Sequence, residues 1–161
     1  MNFKIIVLIL RVFQAAFAVV VLGLSAFVSN WYNTDTKTAS PAQINFLIFA
    51  PLWSLLSIAC LEVVPKFLPR LSNPYAALGL EATNVLFWFA GSVGLGVFMN
   101  GLLFCRGAVC SAAQADVAFS AFLIFQWAAT AIILALDVLK MGFRKPRAAA
   151  SAGPMMKEPL P

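Results

Sequence analysis

Histidine is absent from this chain, cysteine occurs three times, and Asp and Glu together supply only 6 of its 161 residues. A zinc centre wants about four Cys or His ligands, and these residues cannot gather that many on one side of a membrane, so neither a metal nor another cofactor is expected. No nucleophile stands at useful spacing from a base, and no glycine loop is built to cradle phosphate, so an enzyme is not expected either. There is no Asn-x-Ser/Thr acceptor, no prenylation box and no internal repeat. Charged residues make up only 11% of the chain against 62% hydrophobic, and a soluble domain of this size could not hide so much apolar surface.

What the chain has instead is four long apolar stretches, Ile5 to Ser29, Ala42 to Val64, Ala76 to Phe104 and Ala112 to Leu139. Each exceeds the roughly 20 residues that a helix needs to cross a hydrocarbon core about 30 Å thick. The fold class is therefore all-α: a transmembrane antiparallel four-helix bundle with short loops over residues 5–140, followed by a disordered basic tail over residues 141–161. The first stretch is too long for a cleavable signal, and Arg11 interrupts it, so it is expected to remain as helix 1.

The cations alternate between gaps. Lys4, Arg11, Lys66, Arg70, Lys140, Arg144, Lys145, Arg147 and Lys157 fall on the side shared by the N-terminus, the second loop and the tail, while Lys37 and Arg106 lie opposite. That asymmetry predicts both termini in the cytosol. It also argues against a nucleic-acid partner despite the net charge of +5, because the charges are placed as membrane flanks. Lys140, Arg144, Lys145 and Arg147 just beyond helix 4 are expected to contact anionic lipid.

Local signals fill in the frame. Trp31 and Tyr32 suit the headgroup level at the end of helix 1. Ser40 followed by Pro41 predicts an N-cap and first helical residue for helix 2, and Pro51 predicts a bend inside it. Pro65, Pro69 and Pro74 exclude a helix running through the second loop. Cys105 and Cys110 share the loop between helices 3 and 4, where a disulfide would pin the hairpin; Cys60 lies toward the other side.

Four ionisable residues are counted within the spans, Arg11, Glu62, Glu81 and Asp137, all near the cytosolic end, and the outer half of the bundle is read as free of charge. Together with Asn84 they form a candidate intramembrane clamp, in which Arg11 pairs with Glu81, Asp137 or Glu62. On helix 3, Glu81, Asn84, Trp88 and Gly91 share a face. A small-residue seam of Thr83, Ala90, Gly94 and Gly101, with Gly91 thinning a second face, offers close helix packing, within the bundle or in a homo-oligomer.

Arg11-Val-Phe-Gln-Ala-Ala-Phe-Ala-Val-Val-Val-Leu-Gly-Leu-Ser-Ala, Glu81-Ala-Thr-Asn84-Val-Leu-Phe87-Trp88-Phe-Ala90-Gly91, and the Cys105 to Cys110 loop followed by Ala-Ala-Gln-Ala-Asp-Val-Ala-Phe together resemble the MARVEL family of four-span proteins. The similarity is greatest to its fungal members, including the non-classical export branch, and covers Arg11 to about Leu139. The resemblance implies a non-enzymatic role in organising sterol- and sphingolipid-rich membrane domains and in vesicle trafficking, in the plasma membrane or a secretory-pathway membrane. The rival expectation is a small transporter or channel subunit, which requires a continuous wet path through the bundle.

Overall fold

The computed structural model describes residues 3–67, 73–101 and 106–150, without the side chains of residues 3–4 and 141–150. Four helices account for nearly all of them: α1 (Phe3–Trp31), α2 (Ala42–Phe67), α3 (Pro74–Asn100) and α4 (Ala108–Ala150). All four contain a window long and apolar enough to span a membrane. Successive helices run antiparallel and pack as a closed square, α1 on α2, α2 on α3, α3 on α4 and α4 back on α1. Across one diagonal, no Cα atoms of α1 and α3 come within 8 Å among the described residues. One end of the square carries the N-terminus and the α2–α3 connection. The other, the two-loop end, carries the α1–α2 and α3–α4 connections.

The buried positions repeat at alternating steps of three and four. On α1 they are Arg11, Gln14, Ala18, Val21, Ser25 and Val28, and on α3 Glu81, Asn84, Trp88, Gly91 and Leu95, with Ser92 also buried beside Gly91. This is the seven-residue repeat of helices packed in a left-handed bundle. The contents of the repeat are inverted relative to a soluble protein. Eleven of the buried residues are polar or charged, whereas the exposed faces carry large apolar side chains such as Phe13, Val19, Leu86, Phe89, Phe125 and Ile132. In lipid the outside is already apolar, so polar groups go inside, where they find partners.

Helix ends depart from the sequence expectation in instructive ways. Ser40 does not cap α2 through its own hydroxyl, which hydrogen-bonds the Asn45 side chain; the Pro41 carbonyl accepts the Ile44 and Asn45 N–H groups at 3.0 and 3.2 Å. Pro65 is taken into the last turn of α2, and Pro51 is buried inside it. The N-terminus of α3 is capped by Asn73, whose side chain accepts the Tyr75 N–H at 2.9 Å with Pro74 in the first turn, where the missing N–H of proline costs no helical bond. α1 runs into a wider π-helical turn, Tyr32–Thr36, closed by Lys37 in the left-handed region at φ 53°. α4 does not stop near Leu139 but continues as helix to Ala150, through Gly142 and Pro146; residues 151–161 lie outside the described part.

Candidate functional site

The core at the end nearer the termini is built around Arg11, which is 6% exposed on α1. Its guanidinium pairs with Glu81 of α3, 1% exposed, across the diagonal of the square. Arg11 Nη1 donates to Gln14 Oε1 at 2.8 Å, Gln14 Nε2 donates to Thr130 Oγ1 at 3.2 Å, and Thr130 Oγ1 donates to Glu81 Oε2 at 2.6 Å. The ring of bonds thus closes through α1, α3 and α4. The Arg11 guanidinium carbon also lies 5.1 Å from the centroid of Trp127, a cation–π distance. A buried charge is tolerable when paired and hydrogen-bonded, and this ring meets both conditions while joining two helices whose backbones do not touch.

A second cluster fastens α2. Asn84 Oδ1 accepts from Ser54 Oγ at 2.7 Å, and its amide nitrogen donates to Ser57 Oγ at 2.9 Å and to the Leu80 carbonyl at 2.8 Å. Trp88 Nε1 donates to Ser54 Oγ at 2.9 Å. Glu81, Asn84 and Trp88 therefore stand on one face of α3 but serve different neighbours.

The remaining predicted clamp residues stand apart. Glu62 faces Lys66 at 3.3 Å within α2, and Asp137 faces Lys140 at 4.0 Å within α4, all four at least partly exposed. Exposed pairs of this kind contribute little. Of the small-residue seam, Gly91 is buried, Thr83 and Gly94 are half-buried, and Ala90 and Gly101 are exposed. A Cβ at Gly91 would come 2.6 Å from Leu47 Cδ2, whereas one at Gly94 would meet Gln43 Cγ at an ordinary 3.6 Å. Gly91 is thus a position where the Leu47 side chain of α2 packs directly on the α3 backbone, and Ala90 is exposed. Lys140 is exposed; the side chains of Arg144, Lys145 and Arg147, and the whole of Cys105, lie outside the described residues, so the lipid contacts and the disulfide to Cys110 stay expectations.

One sequence expectation is overturned. The two-loop half is not free of charge, because Asp116 is fully buried on α4. Ser25 Oγ of α1 donates to its Oδ2 at 2.6 Å, while Oδ1 and the nearby Ser120 hydroxyl have no hydrogen-bond partner. Asp116 lies inside the Ala112–Leu139 stretch but is not counted among the ionisable residues of the spans from sequence; with α4 starting at Ala108 it stands two turns into the helix. Gln14, Ser25, Ser54, Ser57 and Thr130 also escaped notice, although Asp116 and Thr130 are 14 residues apart, two full repeats, and such polar heptads in an apolar stretch are a legible signal. Among the described residues no three His, Cys, Asp or Glu side chains stand close enough to hold a metal.

Between the polar groups of the two halves lies an apolar layer that includes Ala18, Val21, Trp88 and Leu123, all with no exposed surface. Beyond Asp116, at the two-loop end, the four helices diverge around a cavity of about 580 Å³.

Four antiparallel spanning helices, lipid-facing apolar exteriors and a paired charge in the core define a multi-pass integral membrane protein. The chain matches the MARVEL family, described as a membrane-associating domain, over residues 4–133, and it belongs to that family. It is also similar to non-classical export protein 2 homolog 1 of Saccharomyces cerevisiae, with 24% identity over 147 residues, covering 83% of this chain and 82% of the relative. No solved structure matches it.

Proposed function

We propose that this MARVEL-family chain is a non-enzymatic organiser of membrane domains that acts through lateral helix packing and lipid contact, with both termini in the cytosol and a role in vesicle trafficking. The observation that carries the reading is the division between a polar interior and an apolar exterior. The Arg11–Glu81 ring and the Asn84 cluster spend their polar groups on tying helices together, and the apolar layer of Ala18, Val21, Trp88 and Leu123 separates Arg11–Glu81 from Ser25–Asp116. A transport subunit needs a wet path there, so this layer favours the organiser over its rival.

The exterior supplies the working surface. Ala90 and Gly91 of α3, with Ala42, Gln43 and Phe46 of α2, border a shallow notch of about 350 Å³. Small residues beside lipid let another helix approach closely, so the notch is the proposed seat for a second copy of the chain. Basic residues from Lys140 onward hold the cytosolic leaflet, and a Cys105–Cys110 disulfide pins the opposite loop. Tagged protein in live cells should concentrate in slowly exchanging patches, and Ala90→Leu, which fills the notch from its exposed side, should raise the mobile fraction in photobleaching recovery. Uniform diffusion, unchanged by Ala90→Leu, would overturn the organiser reading.

A further inference from the structure

We propose that the cavity at the two-loop end binds a medium-chain fatty acid, with its carboxylate on Arg106 and its chain directed into the bundle. The cavity, about 580 Å³, falls within the roughly 300–1,000 Å³ of small-ligand sites. Its walls are apolar, with Phe27, Val28, Leu95, Phe98 and Ala113 among them. Phe27 is 49% exposed, which places one wall at the lipid boundary. From Gly107 at the rim, just before α4, to Ala113 is six residues along the chain, about 9 Å of depth at 1.5 Å per residue, the extended length of a chain of about eight carbons.

Charge sets the orientation of the occupant. Arg106 lines the cavity beside Thr36 and Tyr32, and no Asp or Glu lines it among the described residues. The ring of Tyr32 packs edge-on against Trp31 at 5.2 Å, marking the headgroup level, so the guanidinium stands where an amphiphile carries its polar end. Arginine presents a fork of donors that matches a carboxylate. At the inner end, Val28 and Ala113 each stand three residues, about one helical turn, from a member of the buried Ser25–Asp116 pair. A carboxylate pushed in head-first would meet the Asp116 carboxyl group, and a cationic amphiphile would meet Arg106. An anion at the rim with a methyl end at the floor satisfies both ends. The site stands independently of any lateral clustering, so the two readings fail separately.

The test uses the full chain in nanodiscs of phosphatidylcholine and a fatty acid bearing a photoreactive diazirine near its methyl end. Labelling should map to Leu95, Phe98 or Ala113, and unlabelled octanoate should suppress it while octanol, the neutral analogue, should not. Arg106→Ala, at an exposed position, should weaken binding by about tenfold, the value of one charge-assisted hydrogen bond, and Arg106→Lys should restore part of it with no change in melting temperature. Labelling spread over lipid-facing residues such as Leu86 and Val97, equal competition by octanol, or full binding in Arg106→Ala would each overturn the proposal.

Discussion

In the half of the bundle nearer the termini, Arg11 and Glu81 are buried and paired, and Gln14 and Thr130 link them across three helices, leaving only Arg11 Nε of the two side chains without a hydrogen-bond partner. In the two-loop half, Asp116 is as deeply enclosed but has only the Ser25 hydroxyl, keeps Oδ1 and the neighbouring Ser120 hydroxyl unpartnered, and sits under a cavity. The contrast separates two uses of buried polarity. A closed ring of opposite charges fixes the mutual position of helices, and removing one member leaves the other without compensation. A lone acid with an open oxygen fixes less, and the surrounding structure is looser.

The largest expected effect tests the first half of that comparison. Glu81→Ala leaves the Arg11 guanidinium buried without its counter-ion and should cost about 3–5 kcal/mol, read as loss of the folded fraction in a denaturant titration of detergent-solubilised protein. Replacing both partners, Arg11→Leu with Glu81→Leu, should recover most of that loss, because no charge is then left unpaired. A double variant as unstable as the single one would show that the ring matters for more than compensation.

A smaller effect tests how closely the helices are held. Gly91→Ala puts a Cβ 2.6 Å from Leu47 Cδ2 and should destabilise by about 1–3 kcal/mol through overpacking. Gly94→Ala, with 3.6 Å to Gln43 Cγ, should be near neutral or slightly stabilising, since alanine favours the helix over glycine. Thermal unfolding of the two variants side by side separates a contact from mere helix propensity, and equal shifts would refute the close approach at Gly91.

The smallest effect belongs to the second half. Asp116→Asn keeps an oxygen for the Ser25 hydroxyl, and because no cation pairs with this side chain among the described residues, the change should stay within about 1 kcal/mol. The same melting measurement checks it. A loss comparable to that of Glu81→Ala would show that the two buried acids are equivalent and dissolve the distinction between the halves.

Much of this architecture is legible from one dimension. The four spans follow from apolar length alone, and Glu81, Asn84 and Trp88 could be placed on one face of α3 from their spacing. The pairing of Arg11 with Glu81 was one option of three, because Glu62 and Asp137 lie at comparable depth along their own helices and periodicity does not say which helices face each other. The small-residue seam follows spacing alone: Ala90 and Gly94 share a stripe, while burial on α3 runs through Glu81, Asn84, Trp88, Gly91, Ser92 and Leu95, so that of the seam residues Gly91 faces the core. When both faces of a helix are apolar, hydropathy cannot mark the inner one, and in this chain the polar residues mark it. Asp116 lies within the apolar stretch Ala112–Leu139, and only the packing of α4 against α1 shows that its face is buried; the cavity was invisible because it is made by all four helices at once.

The amino-acid order by itself determined that the chain crosses lipid four times as helices, since apolar length and an unsatisfied backbone leave no other solution in hydrocarbon. Only the tertiary structure decided which polar groups meet. Arg11 and Glu81 lie 70 residues apart on helices whose backbones do not touch, and their pairing exists because four helices closed into a square and brought the two side chains to its centre.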